Sequence, residues 1–130
     1  MKTNKKIKII IEKTETGFSA YSEDYPIFTS GKTITELQYN AIEATQLYFE
    51  EQTEKITIEK LQFEFDFKQF FQYYNVINAK ILAKKIGMNA SLLSQYVSGK
   101  KKPSETQTAK ILFGIHQIGQ ELSELNLIYR

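Results

Sequence analysis

The hydrophobic period of this chain changes partway along, from two to between three and four, which limits it to a sheet first and helices after. Ile7, Ile9 and Ile11 alternate with Lys8, Ile10 and Glu12, predicting a strand over Ile7 to Lys13 with one buried face. Leu61, Phe63, Phe65 and Phe67 repeat that alternation against Gln62, Glu64 and Asp66, so another strand is expected over Lys60 to Asp66. Between these, Phe18 and Ala20 against Ser19 and Tyr21 read as a second strand after the turn Glu15-Thr16-Gly17, where Gly17 is expected to supply a positive φ. Ile27 to Thr29 is a short apolar third segment, closed by Ser30-Gly31-Lys32. Thr33 or Thr35 can cap a helix to about Glu51, with Ile34, Leu37, Ala41, Ala44 and Tyr48 along one stripe. The expected order is βββαβ, in an α+β chain. One helix covers only one face of such a sheet.

From Phe67 the pattern is helical. Phe67, Phe70, Phe71 and Tyr74 share one face of a short helix, and Asn75-Val76-Ile77-Asn78 interrupts it. Asn78 can cap the next helix, in which Ile81, Leu82 and Ile86 alternate with Lys84 and Lys85. Two helices crossing steeply over a short turn need a small residue at their closest contact and a glycine at the turn, and Ala83 and Gly87 fall there. Asn89 then caps a second helix with Leu92, Leu93 and Tyr96 inward and Ser91, Ser94 and Gln95 outward. Ser104-Glu105-Thr106-Gln107 is a capping-box pattern for another helix. Its seam runs Ile111, Ile115, Ile118, Leu122 and Leu125; Gly114 and Gly119 either break it in two or admit a neighbouring helix, and it serves either the domain's own core or a dimer. The expected division is a sheet domain over 1–66 and an all-α domain of four to five helices over 67–130.

Charge divides at the same place. Residues 1–66 carry eight Lys against twelve Asp or Glu, a net of −4, while residues 67–130 carry nine Lys or Arg against three Glu, a net of +6. The basic half is the candidate for nucleic acid, and the acidic half faces a different partner. The chain has no cysteine, which excludes disulfides, thiolate metal sites and cysteine nucleophiles. Its longest apolar run near the start, Ile9 to Ile11, is far short of a signal peptide core or a membrane span, so a cytoplasmic location without a membrane partner is expected. Metal-dependent cleavage of phosphodiesters wants converging carboxylates, but the only aspartates are Asp24 and Asp66, and Glu12 and Glu64 alternate out of strands as solvated faces. His116 has no Ser, Cys or second His placed to partner it. No enzyme, metal or cofactor is expected.

Two resemblances join these halves. Gly17-Phe18-Ser19-Ala20-Tyr21 through Asp24-Tyr25-Pro26, then Thr29-Ser30-Gly31-Lys32-Thr33 leading into Asn40-Ala41-Ile42-Glu43-Ala44, resembles the HicB antitoxin family. That likeness implies a partial ribonuclease-H-like sheet domain; the family usually follows its proline with Gly-Cys, where this chain has Ile27-Phe28. Ala83 and Gly87 with the tail Gly99-Lys100-Lys101-Lys102-Pro103-Ser104 resemble the helix-turn-helix of the Cro/repressor type over Phe67 to Leu125. This second likeness implies that the helix after Asn89 enters the major groove of duplex DNA. Ser91 and Gln95 would then reach base edges with Ser94 accessory, Gln95 would suit adenine, and Lys100, Lys101 and Lys102 would hold phosphates; Asn89 completes the DNA-facing set.

Together the resemblances imply an antitoxin that neutralises a small, basic, HicA-like toxin cleaving messenger RNA and represses its own operon. A homo-oligomer, dimer or higher, would set recognition helices about 34 Å apart on an inverted repeat. Tyr21, Asp24, Tyr25 and Phe28 are the candidate toxin contacts, by exposure and turn position. The alternative is a helix-turn-helix regulator without a toxin, whose N-terminal domain senses a ligand or oligomerises.

Overall fold

Strands β1 (Ile7–Thr14), β2 (Gly17–Ser22) and β3 (Phe28–Gly31) follow one another with antiparallel pairing, and β4 (Leu61–Phe65) returns to lie parallel to β1. These are the strands of a computed structural model that describes residues 6–51 and 55–125. The order across the sheet is β3-β2-β1-β4. Since β3 and β4 run the same way at opposite edges, the chain must cross the sheet between them, and helix α1 (Ile34–Tyr48) makes that crossing. Register fixes the covered face. Ile11 pairs with Ala20 and Phe65, Ile9 with Phe63 and Ile7 with Leu61. Ile9, Ile11, Ala20 and Leu61 form one buried cluster with Leu37 and Ala41 of α1 and with Ile56.

Several local expectations are corrected. Gly17 does not have a positive φ; glycine is needed there because a Cβ would lie 2.3 Å from the carbonyl oxygen of Gly31 on β3. The third strand begins at Phe28, because Ile27 is spent on the preceding turn: its N–H donates to Tyr25 O (2.7 Å) and its C=O accepts from Ser22 N (3.0 Å). Thr33, not Thr35, caps α1, its hydroxyl accepting from Glu36 N at 3.1 Å. The buried stripe of α1 is Leu37, Ala41 and Thr45, with Ala44 only half-buried and Tyr48 exposed, and the helix ends before Glu51. Thr45 enters the core because its hydroxyl donates to Ala41 O at 2.7 Å.

The described residues hold five α-helices, with a 3-10 turn at Ile58–Lys60 before β4. The chain divides into two units, Met1–Tyr73 and Tyr74–Arg130, so helix α2 (Phe67–Tyr73) falls with the sheet, beyond the expected boundary after Asp66. Its aromatic face explains this. Phe65 of β4 stacks on Phe67 (centroids 5.6 Å) and meets Phe70 edge-on (5.5 Å), while Asp66 caps the helix by accepting from Gln69 N at 3.0 Å.

The second unit contains α3 (Ala79–Ile86), α4 (Ala90–Val97) and α5 (Glu105–Ser123). Leu82, Ala83, Leu93 and Ile111 are almost completely buried. Helix α5 is continuous through both glycines. Gly114 admits α3, since a Cβ there would lie 2.3 Å from Ile86 Cγ2, whereas nothing stands within 4 Å of the same point at Gly119. The expected seam divides: Ile111 is buried, Ile115 and Ile118 are half-buried, and Leu122 and Leu125 lie exposed at 61% and 75%. Among the described residues no helix is long and apolar enough to cross a membrane.

Candidate nucleic-acid interface

The junction of α3 and α4 is built by local rules. Asn78 caps α3, its Oδ1 accepting from Ile81 N at 3.1 Å. Gly87 ends that helix in the left-handed region, at φ 69° and ψ 33°. Met88 N donates to Ala83 O (2.8 Å) and Gly87 N to Lys84 O (3.3 Å), the paired bonds of a Schellman cap. Met88 turns inward and is buried, only 8% exposed. Asn89 then opens α4, one Oδ1 accepting from both Ser91 N (2.8 Å) and Leu92 N (3.1 Å).

This geometry sorts the residues of α4 by face. Leu93 and Tyr96 are buried against the unit's own core, and Leu92 is half-buried. Ala90, Ser91, Ser94 and Gln95 are exposed, in two rows four residues apart. Among the described residues no hydrogen bond engages the side chains of Ser91, Ser94 or Gln95. Asn89 differs from them, because its carbonyl oxygen is committed to the cap.

The lysine run is tied to the end of the same helix. Gly99 has φ 80°, which turns the chain back so that Lys100 N (2.9 Å), Lys101 N (3.2 Å) and Ser98 Oγ (3.2 Å) all donate to the carbonyl oxygen of Gln95. Lys100, Lys101 and Lys102 are exposed. The backbone of Lys100 and Lys101 is thus held at Gln95, the last of the exposed polar residues on the outer face. Sequence reasoning missed this role of Gly99, although a glycine just past the last apolar residue of a helix is the local signal for it. Lys80, which the sequence reading did not single out, and Lys84, which it gave only as a surface residue, are exposed four residues apart on α3 and without a partner among the described residues; Lys85 pairs with Glu121 at 2.8 Å. The resulting surface is an uncharged polar strip with lysines to either side of it in sequence.

The four candidates for a protein partner are not brought to one place. Tyr21 and Phe28 are paired across β2 and β3, and alternation puts both on the face of the sheet opposite α1. Phe28 is 69% exposed. Tyr21 is half-buried, and burial, then the negative charges of Glu12, Asp66 and Glu23, push its hydroxyl above the ordinary 10.0. Asp24 and Tyr25 belong to the loop before β3, where Ser22 Oγ accepts from both of their N–H groups at 3.2 Å. The Tyr25 ring packs instead on Tyr48 (5.6 Å) and Phe49 (5.0 Å) at the end of α1. Among the described residues there is no group of three or more His, Asp or Glu side chains that could hold a metal ion.

Comparison of the chain with protein-family models, with curated proteins and with solved structures finds no match.

Proposed function

We propose that this chain is the antitoxin and autorepressor of a HicA/HicB-type toxin–antitoxin pair, acting by binding alone. In this reading the sheet unit is a partial ribonuclease-H-like layer that blocks a small basic toxin cleaving messenger RNA. The helical unit is a helix-turn-helix of the Cro/repressor type that binds operator DNA.

The observation that carries the DNA half is the outer face of α4, where Ser91, Ser94 and Gln95 stand exposed and unengaged beside a lysine loop anchored to Gln95. Leu93 and Tyr96 hold α4 to the core by one face, so the opposite polar face is left for a partner, and a helix about 10–12 Å in diameter fits a major groove about 12 Å wide. The toxin half rests on the sequence resemblance and on charge. The sheet unit carries nine Lys against twelve Asp or Glu, a net of −3, which suits a basic partner. Exposed Leu122 on α5, with Leu125 just past its end, offers apolar surface for pairing with a second copy, as an inverted-repeat operator requires.

The test has two arms. Fluorescence anisotropy should find tighter binding to the duplex upstream of the chain's own gene than to an unrelated duplex of equal length. Changing Ser91, Ser94 and Gln95 together to Ala should remove that difference. A small gene for a basic chain beside this one is expected, and co-expression should rescue growth that its product alone arrests; absence of such a gene would sink the antitoxin assignment. Equal affinity for all duplexes would sink the repressor assignment. An adjacent product that forms no complex would sink the antitoxin assignment and leave the regulator without a toxin.

A further inference from the structure

In the major groove, bases are told apart by what their edges donate, accept and expose, so the side chains of the inserted helix decide what it can read. Helix α4 contains no Lys or Arg, and therefore lacks the side chains that pair with both O6 and N7 of guanine. It also has no carboxylate to accept from cytosine. Among its exposed residues, Gln95 alone offers a side-chain donor and acceptor side by side, the complement of adenine N6 and N7. That amide stays available because the Lys100, Lys101 and Ser98 donors go to the backbone carbonyl of Gln95 and not to its side chain. Ala90 exposes a methyl group in the first turn, suited to the C5-methyl of thymine. Ser91 and Ser94 donate or accept equally and do not discriminate.

We infer that two of the base pairs faced by α4 are A·T, with Gln95 reading an adenine and Ala90 a thymine methyl within about two base pairs of it. This inference rests on reading α4 as the groove-inserted helix.

The experiment selects duplexes from a random library with the full chain at one salt concentration, then probes the winning site with modified bases. A·T is expected at two positions about two base pairs apart in each half-site. Replacing the adenine by 7-deazaadenine, which lacks the N7 acceptor but keeps N6, should weaken the wild type about 2- to 12-fold. The same replacement should leave Gln95→Ala unaffected, and uracil in place of thymine should weaken the wild type as well. Gln95→Lys, at an exposed position that the fold tolerates, should move the preference from adenine to guanine. A selected site with G·C at those positions and sensitivity to 7-deazaguanine would overturn the A·T assignment while leaving DNA binding intact. Failure to enrich any duplex, with no affinity above that for unrelated DNA, would overturn the DNA reading and this inference with it.

Discussion

The side-chain amide of Gln69 does for the end of β1 what another strand would do. It accepts from Lys13 N at 2.8 Å and donates to Lys13 O at 2.7 Å, in a partly buried position. Replacing Gln69 by Leu removes both bonds at nearly constant volume and should lower stability by about 1–2 kcal/mol, read as a shift of the urea midpoint. Breaking the Lys85–Glu121 pair by Glu121→Gln should change it by less than about 0.5 kcal/mol, because both groups are exposed to water. An equal loss in the two variants would mean that the amide bridge is not a special tether for α2. Tyr21 makes a prediction about pH. Its hydroxyl is held above 10.0 in the folded chain, so as pH passes 10.0 the unfolded chain releases this proton while the folded one keeps it. Stability is therefore lost on the alkaline side, and Tyr21→Phe should remove that part of the loss. The difference between the two urea midpoints should move in favour of the variant as pH rises past 10.0; a constant difference would mean that Tyr21 titrates alike in both states.

Elements whose boundaries depend on neighbours in sequence were legible in the sequence. The caps Asn78, Asn89 and Ser104 and the left-handed Gly87 all act within four residues, and each stands where the spacing put it. Of what escaped the sequence, only Gly17 answers to a distant partner, the backbone of Gly31. Thr45 is admitted to the core by the carbonyl of Ala41 four residues back, and the lysine loop converges on the oxygen of Gln95 five and six residues back, so both were local signals that the hydrophobic pattern alone does not carry. The outer face of α4 was visible as a pattern, whereas the scattering of Tyr21, Phe28, Asp24 and Tyr25 over two places was not, because alternation gives a face only once the strands are paired. The same contrast governs the glycines of α5. Gly114→Ala must displace Ile86 and Leu82 and should destabilise by about 1–3 kcal/mol less the gain in helix propensity, whereas Gly119→Ala meets open space and should stabilise by about 0.5–1 kcal/mol. Thermal unfolding followed by circular dichroism separates them. Two shifts of the same sign would contradict the close approach of α3 at Gly114.

Over the whole molecule, charge is partitioned as the two units are. Residues 1–73 carry a net of −3, from nine Lys against twelve Asp or Glu, and residues 74–130 a net of +5, from eight Lys or Arg against three Glu. With a screening length of about 8 Å at physiological salt, each partner responds to the charges it touches and hardly to the total of +2. Affinity for duplex DNA should accordingly be set by the lysines of the helical unit and fall steeply with salt. Each phosphate contact contributes about 0.9 to the slope of log K against log salt. Changing Lys100, Lys101 and Lys102 together to Ala should lower that slope by up to about 2.7 if all three hold phosphates. Lys32→Ala, at an exposed position of the sheet unit, removes one positive charge from the same total and should leave the slope unchanged. The two outcomes separate a local from a global electrostatic origin, because a molecule attracted to DNA by its net charge would respond to either loss. If the triple variant keeps the full slope, the loop after α4 is a solvated turn and the phosphate contacts must lie elsewhere, with exposed Lys80 and Lys84 of α3 the next to change.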